Sequence, residues 1–359
     1  MTRWIAPLLL ALVACSKPSG TSSDPRSASA LAREAAPAPL VSAAEPEVVS
    51  ATPAPPSSAQ PPKSVQTLAF VGDISTSLHV QNYLDGDAKA DPPIEPGYPL
   101  QHVAERLRAY DLMVGNLECV VSPGGTRTRK FPLRGSLKTP QLLVDAGFDV
   151  VNVANNHQND LGLSAYDDAL SRLRGAGLAV SGDMLGGHDP ILVRDVGPLR
   201  VAIVGIYNVK RTEAVALVKR AKDKAPLVIA FLHWGDDFHS RVTESQRTIG
   251  RAIIDAGAEC VVGAHAHVVQ PEETYQGKLI AYGLGNFVFT GMAARGTHNG
   301  ALLELDLDPT GVVAHRYWKV RIDEQGIPRF VEDAATPEPF VDPPLDAPQN
   351  EPVPVPAKI

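Results

Sequence analysis

The sequence contains little cysteine, no excess of positive charge and no long hydrophobic run, and each shortage excludes a class of protein. Three cysteines among 359 residues are too few for a small secreted scaffold that is held together by disulfides. A formal net charge of −7 lacks the basic footprint of nucleic-acid binding, so no nucleic-acid partner is expected. The N-terminal apolar stretch spans only about ten residues, whereas a membrane-crossing helix needs roughly 20.

The first residues carry the features of an export signal. Arg3 precedes the apolar stretch, which ends in Leu12-Val13-Ala14-Cys15, a pattern that resembles the lipobox of bacterial lipoproteins. Residues 1–15 are therefore predicted to be a lipoprotein signal peptide that ends at the lipidated Cys15. Ser16 resembles the outer-membrane sorting pattern of Gram-negative lipoproteins. The alternative is an ordinary secretory cleavage site without lipidation.

Two proline-rich segments flank a central region. Residues 16–66 consist largely of Ala, Pro, Ser and Glu, a composition that cannot bury enough apolar surface to offset its ordering entropy. We expect a disordered tether there and a second Pro-rich tail over residues 335–359. The intervening residues, 67–334, suffice for one large domain.

Short apolar runs alternate with helical patterns across residues 67–334. The runs Leu227 to Leu232 and Cys260 to Val262 indicate buried strands, while Glu244 to Asp255 has the spacing of an amphipathic helix. This alternation predicts βαβ units and a layered α/β fold. Polar side chains follow the strand-like runs, where α/β proteins place ligands and catalytic groups. These side chains are Asp73, Glu118, Asn156, His157, His233, His265 and His267.

The histidines indicate a metal centre. His265 and His267 are two residues apart, and in an extended segment both side chains would project to the same side. Imidazole and oxygen donors without thiolate suit zinc, manganese or iron better than a copper or iron–sulfur centre. Cys119 and Cys260 lie in or beside apolar runs and are interpreted as buried thiols, with a disulfide between them as the alternative.

Six polar segments follow one another across the central region. They are Gly72-Asp73-Ile74, Gly115-Asn116-Leu117-Glu118, Ala154 to Gly162, Leu232 to Asp237, Gly263 to Gln270 and Tyr282 to Phe289. In order and spacing these segments resemble the CapA family of capsule-synthesis and poly-γ-glutamate biosynthesis proteins, which belong to the calcineurin-like metallophosphoesterase superfamily. The resemblance covers about residues 68–328 and implies a metallophosphoesterase-like two-sheet α/β sandwich flanked by helices.

The resemblance also implies a role for each residue of the site. Asp73 and His267 would bind a first metal, with Glu118 as the bridging carboxylate. Asn156, His233 and His265 would complete a second metal, and His157 would act as general acid in metal-assisted hydrolysis.

One departure from the family pattern affects the first metal. Classical metallophosphoesterases have a histidine two residues after the first aspartate, but this chain has Ser75 there. His79 follows four residues later and is interpreted as a surface or loop histidine. The sequence therefore predicts one divalent ion, Mn, Zn or Fe, at the second position, and leaves an ion at the first as a further alternative.

Other polar residues near these motifs each have two interpretations. Asp160 would either orient His157 as part of the catalytic pair or cap the following helix. Asp236 and Asp237 would either accept hydrogen bonds from the ligand histidines or lie in a solvated loop. Asn286 would support a ligand or stabilise a turn. Lys130 and Arg134 would contact an anionic substrate or form a solvated basic loop.

Two functions are consistent with these features. The first is an envelope-anchored protein of capsule or poly-γ-glutamate biosynthesis or export with a metal-dependent, phosphoesterase-like hydrolase site. The second is a non-catalytic, metal-containing component that binds an anionic polymer in a capsule-assembly membrane complex. The expected partners are thus a phosphoester substrate or an anionic polymer, with the lipid anchor as the membrane contact. The sequence leaves open whether the site is catalytic.

Overall fold

The computed structural model describes residues 64–86, 97–183 and 185–336. The predicted signal peptide, Cys15, nearly all of the tether and nearly all of the C-terminal tail lie outside these residues. The first strand begins at Gln66, one residue before the predicted start of the domain, and the last strand continues to Thr336, into the predicted tail. Among the described residues, no helix is long and apolar enough to cross a membrane.

Fourteen strands and six helices form within the described ranges. The strands are β1 (Gln66–Ile74), β2 (Leu112–Leu117), β3 (Val150–Asn152), β4 (Ala179–Ser181), β5 (Ile191–Val196), β6 (Leu199–Tyr207), β7 (Leu227–Trp234), β8 (Cys260–His265), β9 (Val269–Tyr275), β10 (Lys278–Leu284), β11 (Asn286–Val288), β12 (Asn299–Asp308), β13 (Gly311–Ile322) and β14 (Pro328–Thr336). The helices are α1 (Leu78–Asp85), α2 (Ala104–Leu107), α3 (Thr139–Ala146), α4 (Leu163–Gly175), α5 (Arg211–Lys222) and α6 (Glu244–Asp255).

The strands form two mixed sheets. The larger has the order β14-β13-β12-β1-β2-β3-β4, with β11 also paired to β1, and its β1-β2-β3-β4 section is parallel. The smaller has the order β5-β6-β7-β8-β10-β9, with β6, β7, β8 and β10 parallel. In the larger sheet β1 and β2 end at or next to Asp73 and Glu118, and in the smaller sheet β7 and β8 end at or next to His233 and His265, so these side chains lie at strand carboxyl ends.

Apolar side chains that alternate between the two faces of a strand explain why the sheets pack face to face. In β1, Leu68 and Phe70 pack into a buried cluster that also contains Phe231 of the smaller sheet, whereas Ala69 and Val71 join a second cluster on the opposite face. The Phe70 and Phe231 rings meet edge to face at 5.9 Å. The central cluster therefore lies between the sheets.

Helices cover the two outer faces. The cluster on the outer face of the larger sheet includes residues of α3 and α4, and a third cluster joins α5 and α6 to the smaller sheet. The predicted two-sheet α/β sandwich flanked by helices is confirmed. Cys119 and Cys260 are buried free thiols in different clusters, so the disulfide alternative is wrong.

Gly263 in β8 is a point where the sheet tolerates no side chain. A Cβ placed there would lie 1.9 Å from the backbone oxygen of Tyr282 in the neighbouring strand. We expect Gly263→Ala to lower the free energy of unfolding by about 3 kcal/mol, because β8 and β10 must separate to admit the methyl group. Urea unfolding followed by circular dichroism would measure the change. Gly175→Ala is the control, since its methyl group meets open space at the end of α4 and should leave stability unchanged or slightly raised.

Candidate metal centre

The candidate centre lies where strand ends of both sheets meet. Asp73 stands near the end of β1, and Glu118 directly follows β2 in the same sheet. His233 and His265 end β7 and β8 of the other sheet. The backbone N–H of His265 donates to both carboxylate oxygens of Asp73, at 3.3 and 3.1 Å, and so joins the two sheets at this point.

Glu118 lies at the middle of the centre. Its side chain is fully buried, and neither carboxylate oxygen has a hydrogen-bond partner. Three imidazole nitrogens surround its Oε1 at 3.6–3.8 Å, from His157, His233 and His267. Burial raises the pKa of Glu118 well above its ordinary value, and the nearby carboxylates of Asp73 and Asp237 raise it further.

Two groups of side chains offer ligand atoms within 4.8 Å of one another, and they share Glu118. One consists of Glu118, His233 and His265, and the other of Asp73, Glu118 and His267. This division matches the two ligand sets that the family resemblance implies. The shared carboxylate is the feature that would allow Glu118 to contact two cations.

The residues fit a divalent cation. Buried polar atoms without partners are costly, and here the two oxygens of Glu118 and Nδ1 of His265 are all left unsatisfied. The spacing between Oε1 of Glu118 and the nearest nitrogens of His233 and His267, 3.6 and 3.8 Å, is too long for hydrogen bonds. It is close to the roughly 3.4 Å that separates ligand atoms lying about 2.1 Å from a tetrahedral ion. Nitrogen and oxygen donors without sulfur suit zinc, manganese or iron.

His233 occupies the most buried position of the three strand-end histidines. Its Nε2 hydrogen-bonds Oδ1 of Asn156 at 2.8 Å, which puts both candidate ligand atoms side by side facing Glu118. Burial lowers the pKa of His233 well below its usual range, and the three neighbouring imidazoles lower it further. The ring is therefore neutral at neutral pH, the form that binds a metal ion.

The segment that carries His265 and His267 is not extended, so the expected backbone geometry is wrong. Both residues have positive φ, 96° for His265 and 57° for His267. Such left-handed conformations cost on the order of 1–3 kcal/mol each and concentrate at functional sites. The strained turn brings both rings to one centre, with their centroids 6.2 Å apart.

Asn286 supports His267 from the first residue of β11. Its Oδ1 lies 2.9 Å from Nδ1 of His267, and its own amide donates to the backbone oxygen of Thr297. Nε2 of His267 is then the nitrogen that faces Glu118. A ligand histidine held through its other nitrogen is the usual arrangement in metal sites. Phe238 stacks on the same ring at 5.6 Å.

His157 and Asp160 form a hydrogen-bonded pair at the edge of the centre. Nδ1 of His157 lies 2.7 Å from Oδ2 of Asp160, and Nε2 of His157 is directed at Glu118, at 3.7 Å from Oε1. Asp160 does not cap the next helix, because α4 begins after Gly162 without a side-chain cap. The pairing leaves Nε2 available to donate a proton toward the centre.

Four other residues identified in the sequence lie at the margin of the metal centre or outside it. Ser75 is buried, and its hydroxyl pairs with that of Ser77 at 2.7 Å. His79 is exposed on α1. Asp237 is half exposed, with Oδ1 at 3.5 Å from Nε2 of His265. The exposed carboxylate of Asp236 makes no hydrogen bond to a histidine in the described part of the chain, which favours the solvated-loop alternative.

Asn116 is a residue of the centre that the sequence reasoning missed. Its buried side-chain amide donates to Oδ1 of Asp73 at 2.8 Å and lies 3.2 Å from Nδ1 of His233. Its Oδ1 accepts from Asn152 at 3.1 Å. Asn116 therefore orients a carboxylate of one sheet and an imidazole of the other. The only sequence signal was its place within the Gly115–Glu118 motif.

Replacing Asn116 with alanine should weaken metal binding about 10- to 100-fold, the usual cost of losing a partner that orients a ligand. Both Asp73 and His233 would lose the group that fixes them. Titration of Mn²⁺ into the metal-free full-length chain would give the affinity. Asn159→Ala is the control, because Asn159 lies in the His157 turn and contacts its neighbours through its backbone oxygen. Equal affinities for wild type and Asn116→Ala would refute the positioning role.

Comparison with known sequences identifies the family. Residues 67–291 match the model of the bacterial capsule synthesis protein PGA_cap, which is more than half of the chain. The chain belongs to the bacterial capsule synthesis protein family. The matched region contains every candidate ligand of the centre as well as Asn116, His157 and Asn286. The family predicted from the sequence motifs is thereby confirmed.

Three named relatives are similar over half of the chain or more. The chain is 28% identical over 296 residues to capsule biosynthesis protein CapA of Bacillus anthracis, which covers 75% of this chain and 70% of that protein. It is 30% identical over 270 residues to the PGA biosynthesis protein CapA of Bacillus subtilis strain 168, which covers 69% of each. A probable polyglutamine synthesis accessory protein of Mycobacterium tuberculosis is 26% identical over 213 residues, covering 50% of this chain and 56% of that protein.

Among solved structures, TT1561 of Thermus thermophilus aligns at 10% identity with a TM-score of 0.41, covering 68% of this chain and 99% of that one. A similarity this low adds nothing to the description of the centre.

Proposed function

We propose that this family member is an envelope-anchored hydrolase that acts on a phosphoester bond in capsule or poly-γ-glutamate biosynthesis or export. The observation that carries the proposal is the buried, unsatisfied carboxylate of Glu118, which is shared by two ligand groups and faces His157. The names of the relatives support the biosynthetic setting, and the geometry of the centre supports the chemistry.

Each residue has a defined part in the proposed chemistry. A divalent cation held by Glu118, Asn156, His233 and His265 would supply a Lewis acid and a water of lowered pKa. Asp73 and His267, with Glu118, offer a second set of ligands. His157 would donate a proton from Nε2 to the departing oxygen, and Asp160 holds the ring in that orientation.

The hydrolase proposal is tested with the full-length chain loaded with Mn²⁺ or Zn²⁺. Release of p-nitrophenol from p-nitrophenyl phosphate and from bis(p-nitrophenyl) phosphate is measured for wild type and His265→Ala. We expect hydrolysis by wild type and its loss in the variant. No hydrolysis by metal-loaded wild type, or the same rate in the variant, would refute the proposal.

A second candidate function is metal-dependent binding of an anionic polymer without turnover. The names of the relatives favour it, since they describe biosynthesis and accessory roles rather than hydrolysis. In that case the chain would work within a capsule-assembly complex at the membrane. Co-sedimentation with poly-γ-glutamate, dependent on the metal and unaccompanied by hydrolysis of either ester, would favour this function over the first.

The proposed envelope location rests on the lipobox-like motif before Cys15. Acylation of that cysteine would anchor the chain, and Ser16 would direct it to the outer membrane of a Gram-negative cell. Mass spectrometry of the N-terminal peptide and fractionation of Cys15→Ser test this part. A variant that still fractionates with outer membranes, or a wild-type peptide without acyl chains, would contradict it.

A further inference from the structure

A basic segment, Arg127 to Arg134, runs beside the turn that carries His157. The backbone N–H of Thr126 donates to the oxygen of Leu161, and that of Thr128 donates to the oxygen of Asp160, both at 2.9 Å. These bonds fix the segment along the edge of the metal centre. The backbone of the segment therefore passes beside the turn of His157 and Asp160.

Arg129 lies next to the His157–Asp160 pair at this edge. Its Nε lies 3.4 Å from Oδ1 of Asp160, the residue that holds His157. Its positive charge also opposes the rise in the pKa of Tyr207 that burial causes. The Tyr207 ring packs edge-on against His233, with centroids 5.7 Å apart.

This contact places Arg129 at the edge of the centre. His157 and His233 both have Nε2 within 3.7 Å of Oε1 of Glu118. Arg129 is next to Asp160, which binds the other ring nitrogen of His157. Its side chain remains 43% exposed, which makes it accessible to a ligand that enters from solvent.

The ion pair with Asp160 does not use the hydrogen-bonding capacity of Arg129. Oδ2 of Asp160 accepts from His157 and from the backbone of Leu133, whereas Oδ1 has no hydrogen-bond partner. An arginine that served only to bind this carboxylate would be expected to form a two-pronged pair. The guanidinium therefore keeps donors for an incoming anion.

Lys130 and Arg134, for which the sequence left substrate contact and a solvated basic loop as alternatives, make other contacts. Arg134 donates to the backbone oxygens of Ser122 and Gly124, which closes its own loop. Lys130 lies over the exposed ring of Phe131, 5.2 Å from its centroid. Neither contact is directed at the metal centre.

We propose that Arg129, beside the His157–Asp160 pair, binds a charged non-bridging oxygen of a phosphate-ester substrate at the edge of the centre. This inference deepens the proposed function by naming the group that recognises the substrate class. A planar guanidinium presents parallel donors that match a phosphoryl group and stays charged at any physiological pH. The substrate would thus contact the cation at one oxygen and Arg129 at another.

The test is calorimetric titration of inorganic phosphate into the Mn²⁺-loaded full-length chain. We expect Arg129→Gln to weaken phosphate binding at least about tenfold, as for loss of one charge-assisted hydrogen bond, and Arg129→Lys to retain part of the affinity. Arg127→Gln is the matched control, because it removes the same charge from an exposed position two residues earlier and should stay within about twofold of wild type. Mn²⁺ content and unfolding midpoint, measured for each variant, should not change.

Several results would overturn the inference. These are no phosphate binding by wild type, equal affinities for wild type and Arg129→Gln, or the same loss in Arg127→Gln as in Arg129→Gln. Binding of γ-glutamyl-glutamate that depends on Arg129, without phosphate binding, would also overturn it, because the site would then recognise carboxylates. Phosphate binding without ester hydrolysis would refute the proposed function and leave the role of Arg129 intact.

Discussion

Replacing His233 with alanine is expected to lower the affinity for the divalent cation by more than about 100-fold, beyond the usual cost of losing an orienting partner. His233 is a neutral, fully buried imidazole beside Asn156, with Nε2 facing Glu118. The same change leaves the carboxylate of Glu118 with one imidazole fewer around it. Metal content after dialysis against Mn²⁺, measured by mass spectrometry, gives the result, and ester hydrolysis should fall with it.

His79→Ala is the matched control for this experiment. His79 follows the first aspartate and is exposed on α1, so its replacement should leave both metal content and hydrolysis unchanged. Full metal occupancy in His233→Ala would show that the ligand set is wrong. Equal losses in both variants would indicate a general effect on folding.

Replacing His157 with asparagine is expected to slow hydrolysis by about 10²- to 10⁴-fold on a substrate with a poor leaving group, without loss of the metal ion. The imidazole is oriented by Asp160 and directs Nε2 toward the centre, which is the arrangement of a general acid. An activated leaving group such as p-nitrophenolate needs little protonation, so the same variant should lose much less activity on p-nitrophenyl phosphate than on an alkyl phosphate.

The comparison between the two leaving groups is the internal control. Equal losses on both substrates would show that His157 does not protonate the leaving oxygen. Loss of bound metal in His157→Asn would instead make it a ligand, which would contradict the role assigned to it.

The strand-end pattern was enough to predict most of the centre. Parallel strands in a layered α/β fold share one edge, so polar residues that follow apolar runs must meet there. Asp73, Glu118, His233 and His265 lie together for this reason. The assignment of these residues to two different metal positions came from the family motifs rather than from the apolar pattern.

The residues of the centre that the sequence did not predict are placed by contacts between residues far apart in the chain. Asn116 touches Asp73 and His233, which are 43 and 117 residues away. Such a contact follows from the packing of two sheets and has no signature in local sequence. Arg129 was overlooked for the same reason, because only the folded chain places it beside Asp160.

The backbone conformation at His265 and His267 was also not predictable from the sequence. Alternation within a short segment predicts an extended strand, and β8 does extend to His265. The positive φ of His265 and His267 is imposed by surrounding structure, including the bond from His265 to Asp73 and that from His267 to Asn286. Residues other than glycine rarely adopt a positive φ, so sequence rules predict a negative φ for both histidines.

The most direct test of the metal centre is the metal content of the full-length chain after chelation and reloading with Mn²⁺, Zn²⁺ or Fe²⁺. We expect at least one divalent ion per wild-type chain and none in His233→Ala at the same protein concentration. A wild-type chain that folds normally and binds none of the three ions would contradict the proposed metal centre, because the buried carboxylate of Glu118 would then have no partner.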